Sequence, residues 1–240
     1  MKTLKNLLWA PWSLFHGLAA TFAAIIFMFF KNNDGRKYPF IGHLSKFWGN
    51  WVGYGFGVKL SIFGLGKLDP SKRYVFMANH SSFIDPIVLM KTLPIALVTM
   101  AKKELRKWFA LGYGLEKAGV IFIDRENAEE RVDVVKDMAE QLRQTILSLY
   151  VFPRGGRAKN RPFKNGGVRI AIECEMPIVP IKIVDSDVFW PKGTIWRLNR
   201  ERVVQVIIHE PIDTGYLFGD SDDTQEVEYL CGLVREKIDS

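Results

Sequence analysis

The chain has 240 residues and a mass of 27.5 kDa, enough to bury one large core or two small ones. Charged residues at 25% and hydrophobic residues at 48% exclude a disordered or collagen-like chain, while 33 Lys+Arg against 26 Asp+Glu leave a formal charge of +7. That excess favours anionic partners: a membrane surface, nucleic acid or a phosphorylated substrate.

Apolar residues concentrate at the start. No formal charge occurs from Leu7 to Phe30, and the stretch Leu14 to Phe30 is nearly all apolar. As a helix those seventeen residues reach roughly 25 Å, short of a hydrocarbon core of about 30 Å, so the segment spans only if Trp9 to Trp12 join it. Pro11 can begin a helix but not continue one. Lys2 and Lys5 precede the run, and Lys31, Arg36 and Lys37 follow it. This balance gives no orientation by the positive-inside rule and suits a segment that enters and returns to the same face. No small-x-small cleavage site follows, against a signal peptide. The next stretch mixes Trp48, Trp51, Tyr54 and Phe56 with glycines and few charges. It reads either as headgroup-boundary aromatics or as a core helix. Residues 1–66 are therefore set apart as an N-terminal helical, membrane-embedding region.

Beyond Lys67 the pattern is that of an α/β domain covering 67–240. Runs at 73–79, 95–100, 120–123, 149–152, 178–184 and 203–209 are rich in β-branched and aromatic residues and predict strands. Between Asn127 and Leu147, Val132, Val135, Met138, Leu142 and Ile146 recur at helical steps behind an acidic first turn, predicting a helix. Strands alternating with helices predict a mixed sheet covered by helices. Cys174 and Cys231 are the only cysteines, with no C-x-x-C and no Cys/His cluster. Neither a disulfide framework nor a metal site is expected, and a reducing, cytosol-facing compartment is the default.

The first cluster able to carry chemistry is Asn79-His80-Ser81-Ser82-Phe83-Ile84-Asp85-Pro86, at a predicted strand end. A five-residue step on a helix turns about 500° and would separate His80 from Asp85, whereas a strand-to-helix turn can fold one onto the other. Pro86 suits the first helical position and makes Asp85 a natural N-cap. A carboxylate that fixes an imidazole leaves the second ring nitrogen free to take a proton. Ser81 and Ser82 lie alongside, but no glycine-flanked nucleophile elbow occurs. Direct attack by a substrate hydroxyl is therefore expected.

The His80-x4-Asp85 pair is followed in order by Gly119 to Arg125 (GVIFIDR), Val151 to Arg157 (VFPRGGR) and Ile178 to Ile181 (IVPI). Over roughly residues 74–184 this series resembles the four blocks of the glycerolipid acyltransferase family that includes 1-acylglycerol-3-phosphate (lysophosphatidate) acyltransferases. The resemblance implies transfer of a fatty acyl group from acyl-CoA or acyl carrier protein, as co-substrate, to the free hydroxyl of lysophosphatidate. No cofactor is needed. It implies His80 as general base and Asp85 as its orienting partner, with Arg125 and Arg157 on the acceptor's phosphate; guanidinium is independently suited to grip phosphate.

The third block departs from the usual Phe-Pro-Glu-Gly-Thr-Arg, reading Phe152-Pro153-Arg154-Gly155-Gly156-Arg157. Gly155 and Arg157 preserve the turn and the substrate-binding arginine. Arg154 either adds a second cation to the phosphate cradle or is repelled by Arg157 into solvent. Other readings are an acyltransferase for glycerol 3-phosphate or another lysolipid, and a membrane lipid-binding homologue without catalysis. The expected partners are membrane lipids and the thioester carrier, at the cytoplasmic face of the inner or plasma membrane. Lysines and arginines are dispersed and no nucleic-acid motif occurs, so no nucleic-acid partner is expected.

Overall fold

The β-branched runs of the sequence lie side by side as one seven-stranded sheet. The structure is a computed structural model, which describes residues 2–31, 40–108, 112–113, 115–116, 120–123, 132–158, 160–194, 197–215 and 224–240. The strands are β1 (Lys59–Phe63), β2 (Val75–Ala78), β3 (Leu97–Lys102), β4 (Ile121–Ile123), β5 (Ser148–Val151), β6 (Ile178–Val184) and β7 (Val203–Ile208). Their spatial order is β1-β7-β6-β2-β5-β3-β4. All neighbouring pairs are parallel except β6 with β7, so the sheet is mixed, as expected. Strands β2 to β6 all end at the same edge, where parallel sheets place their ligands.

Side chains alternate through this sheet with period two. Val75, Met77, Leu149 and Val151 face one core, which is closed by the helices α4 (Val132–Arg143), α5 (Gly166–Glu173) and α7 (Thr224–Asp239). Phe76, Ala78, Tyr150, Val179 and Ile181 face the other, closed by α3 (Asp85–Thr92) and the N-terminal helices. Every residue of β2 and β5 is buried, as apolar runs covered on both faces require. The short helix α6 (Ser186–Phe189) follows β6 at the site edge.

Helix α4 ends at Arg143, four residues before the predicted end. Arg73 Nη2 donates to the Leu142 carbonyl at 2.8 Å and Arg73 Nε to that of Leu147 at 3.1 Å, which turns the chain into β5. Strand β1 was not among the predicted strands. It lies within the segment read as the N-terminal region, yet pairs in parallel with β7 from Lys59 to Phe63.

The N-terminal segment forms helices α1 (Lys2–Lys31) and α2 (Phe40–Phe56). Helix α1 runs through Pro11 instead of starting there; the missing N–H removes one intrahelical bond, and the flanking turns keep the rest. Trp51 Nε1 donates to His16 Nδ1 at 2.7 Å, Trp48 Nε1 to Thr21 Oγ1 at 3.1 Å, and Ser13 Oγ to the Gly55 carbonyl at 2.9 Å. The helices touch at Gly55, where a Cβ would come within 2.3 Å of His16 Cβ. Arg200 locks this pair onto the sheet by donating to Ser13 Oγ at 2.5 Å and lying 4.3 Å from the Trp9 ring centroid. Among the described residues, no helix is long and apolar enough to cross a membrane.

Candidate active site

Two loops at the carboxyl edge of the sheet build the site, one after β2 and one after β5. The first is fixed at its root by Asn79, whose Nδ2 donates to the Ile183 carbonyl and whose Oδ1 accepts from Ile183 N–H, both at 2.7 Å. It is held at its side by Ser82 Oγ, which donates to the Trp190 carbonyl at 2.9 Å, and by the 2.9 Å contact between Ser81 Oγ and Ser186 Oγ. Sequence reasoning gave these residues no role, because the partners lie more than 100 positions away.

Within that loop His80 Nδ1 lies 2.8 Å from Asp85 Oδ2. The same oxygen accepts the backbone N–H of Ser81 at 2.7 Å and of Ser82 at 2.8 Å. An oxygen that already receives two N–H groups acts as an acceptor toward the ring, so Nδ1 is the donor, and in the neutral imidazole the lone pair is then on Nε2. Asp85 is wholly buried, while the His80 side chain keeps 18% of its surface exposed. The buried charge is offset by these donors and by its place in the first turn of α3.

The structure corrects one local expectation. Asp85 is not the N-cap: Ile84 holds that position, without a side-chain cap, and Pro86 follows inside the first turn. The carboxylate reaches back into the loop instead of forward into the helix, so its hydrogen bonds shape the turn that presents His80. The imidazole also stacks on Phe152 at 4.3 Å with 18° between the planes. Phe152 directly follows β5 and opens the second loop, so the imidazole is gripped between the two loops.

The second loop turns at Gly155, whose N–H bonds the Phe152 carbonyl at 2.8 Å and whose φ of +60° favours glycine. Beyond it the Arg157 guanidinium lies over Phe83, its central carbon 3.6 Å from the ring centroid. Phe83 belongs to the His80–Asp85 loop and is 55% exposed. Arg157 Nη1 is buried and finds no hydrogen-bond partner among the described residues. A buried guanidinium nitrogen without an acceptor, held on the loop that carries His80, suits an anionic group.

The expected site residues thus divide. His80, Asp85, Gly155 and Arg157 come together. Arg154 does not join them: its Nη2 donates to both Asp239 oxygens, at 3.1 and 2.7 Å, and its Nη1 to the Arg161 carbonyl at 2.8 Å. It is neither a second cation beside Arg157 nor repelled into solvent, because an acid on α7 captures it. Arg125 lies outside the described residues. Among the described residues, no three His, Cys, Asp or Glu side chains gather into a metal-sized group.

A histidine–aspartate pair on a strand-to-helix loop, with an arginine stacked on that same loop, thus lies at the carboxyl edge of an α/β sheet. The sequence model of the acyltransferase family matches residues 59–184, more than half of the chain. The human 1-acyl-sn-glycerol-3-phosphate acyltransferase alpha is 34% identical over 190 residues, covering 78% of this chain and 65% of its own. A 1-acyl-sn-glycerol-3-phosphate acyltransferase of Limnanthes douglasii is 33% identical over 169 residues, covering 68% and 57%. The match therefore spans just under two thirds of the human protein's length and rather more than half of the plant protein's. The crystal structure of the 1-acyl-sn-glycerophosphate (LPA) acyltransferase PlsC from Thermotoga maritima is similar with a TM-score of 0.69 at 20% identity, covering 98% of this chain and 97% of its own. At that identity the likeness concerns the fold. The chain belongs to the acyltransferase family.

Proposed function

We propose that this protein transfers a fatty acyl group from a thioester, on CoA or acyl carrier protein, to the free hydroxyl of lysophosphatidate. The observation that carries the reading is the His80–Asp85 hydrogen bond, which leaves Nε2 as the base, on a loop whose Phe83 carries an arginine with an Nη1 lacking an acceptor. His80 Nε2 accepts the hydroxyl proton as the acceptor oxygen bonds to the thioester carbonyl carbon. The C–S bond then breaks, and the departing sulfur takes the proton from the imidazolium, so ester and thiol leave and the histidine is neutral again. Asp85 stabilises the transient imidazolium without becoming protonated. No acyl-enzyme forms in this scheme. Arg157, with Arg125 of the second block, binds the acceptor's phosphate.

The test is product identification by mass spectrometry, using lysophosphatidate, glycerol 3-phosphate and a lysolipid without a terminal phosphate, each with both thioester donors. Phosphatidate as the main product is expected. Arg157→Ala is expected to lower kcat/KM for lysophosphatidate by about 10²-fold, the worth of one or two charge-assisted hydrogen bonds. It should leave the phosphate-free lysolipid within a fewfold, and equal losses on both acceptors would contradict the role given to Arg157.

In this reading the protein sits on lipid, at the cytoplasmic face of the inner or plasma membrane. On α1, Phe15, Leu18, Phe22 and Ile26 follow one another at steps of three and four and are 63%, 63%, 65% and 39% exposed. Such a row suits a helix lying in the headgroup boundary. Burying a Leu or Phe side chain contributes about 1.5–3 kcal/mol, so Leu18→Glu with Phe22→Glu is expected to weaken vesicle binding by roughly 10²-fold or more. Sedimentation with vesicles of phosphatidylcholine and phosphatidylglycerol measures it; undiminished pelleting would place the anchor elsewhere.

A further inference from the structure

Arg154 stands near the start of the second loop, and its contacts join three parts of the fold. Its Nη1 donates to the Arg161 carbonyl, which ties the start of the second loop to its far limb. Its Nη2 bridges both oxygens of Asp239 at the end of α7, 85 positions away. The same helix end is held again by Lys182 of β6, whose Nζ donates to the Ser240 carbonyl. The Arg154 side chain is only 20% exposed, and its two terminal nitrogens are committed to different partners, the Arg161 carbonyl and the Asp239 carboxylate.

Arg157 lies between the two points that Arg154 joins. The loop around it is further defined by the bonds from Lys164 N–H to the Pro153 carbonyl at 3.0 Å and from Arg161 N–H to the Ala158 carbonyl at 3.3 Å. Gly156 leaves room for the Arg161 side chain, since a Cβ there would come within 2.7 Å of Arg161 Nη1. A change at Asp239 therefore reaches Arg157 through Arg154 and the loop, without touching His80 or Asp85.

We propose that Arg154 and Asp239 form a positioning pair that holds Arg157 for the acceptor's phosphate, making the end of α7 part of the scaffold of the acceptor site. This rests on the reading of Arg157 as a phosphate ligand. Arg154 turns to an acid on another element and so gives the loop a strut to α7.

The experiment uses the full chain in detergent, with steady-state kinetics for acceptor and donor and direct calorimetric binding of glycerol 3-phosphate as a soluble probe. Arg154→Ala and Asp239→Asn are each expected to raise the acceptor KM and weaken probe binding by about threefold to tenfold, in line with a partly shielded ion pair. The donor KM should stay within twofold. The double variant should be no worse than the worse single variant, because both remove one interaction. Arg154→Asp combined with Asp239→Arg should recover part of the loss, which a merely damaged fold would not do. Single variants that bind the probe like the parent, equal losses for donor and acceptor, or additive losses in the double variant would overturn the pairing. Arg157→Ala serves as the reference: no loss of probe binding there would overturn the phosphate reading and the pairing with it, whereas a loss there with none at Arg154 or Asp239 would overturn the pairing alone.

Discussion

Replacing His80 with alanine is expected to lower the turnover of acyl transfer by on the order of 10²–10⁴, the usual contribution of a positioned general base. A stability cost of about 1–3 kcal/mol is expected, because the wholly buried Asp85 loses one of its three donors while the imidazole itself is partly exposed. The measurement is kcat in detergent beside a thermal melt. A cooperative melt with activity at background supports the assignment, and imidazole added to the buffer should restore part of the rate. Near-normal turnover would remove His80 from the chemistry.

Asp85→Asn carries the second large effect, and here shape is conserved while the charge is lost. The oxygen facing Nδ1 also receives the Ser81 and Ser82 N–H groups, so the amide keeps its oxygen there and still accepts from Nδ1. A neutral acceptor no longer stabilises the imidazolium that forms as Nε2 takes the hydroxyl proton. A fall in kcat on the order of 10² is expected, the worth of a hydrogen bond between charged groups. Ser81 and Ser82 direct their N–H groups at the same carboxylate oxygen, and a neutral acceptor holds them less tightly, so about 1–3 kcal/mol of stability should go as well. Comparing kcat with the melt separates the two losses. A variant that loses stability but keeps kcat within tenfold would show that Asp85 braces the loop and does not tune the base.

Much of this site could be read before any coordinates because its central contacts are local. His80 and Asp85 are five positions apart, Pro86 fixes where α3 can begin, and a loop that short has few ways to close. The strands were legible for a related reason: β2, β5 and β6 are buried on both faces, and burial of that kind writes itself as continuous β-branched and aromatic runs. Strand β1 escaped because its signal is different. It is an edge strand with mixed exposure, entered from a glycine- and aromatic-rich helix whose composition dominated the reading.

Longer contacts left no local trace. The partner of Arg154 is 85 positions away on α7, and local spacing offered only the neighbouring Arg157 as a reason for it to move. The stack of Arg157 on Phe83 and the clamp of Asn79 on Ile183 join segments that only the sheet order brings together. The N-cap expectation at Asp85 failed differently. Pro86 correctly marked the helix start, but the carboxylate had stronger donors behind it, in Ser81, Ser82 and His80, than ahead.

In the proposed mechanism one imidazole acts directly on the acceptor, with no acyl group ever resting on the protein. Rapid mixing of the purified chain with an acyl thioester, following thiol release in the presence and absence of lysophosphatidate, tests this most directly. The expected result is thiol release only when the acceptor is present, at one equivalent per phosphatidate formed and without a burst. A burst of thiol equal to the protein concentration in the absence of acceptor would contradict it.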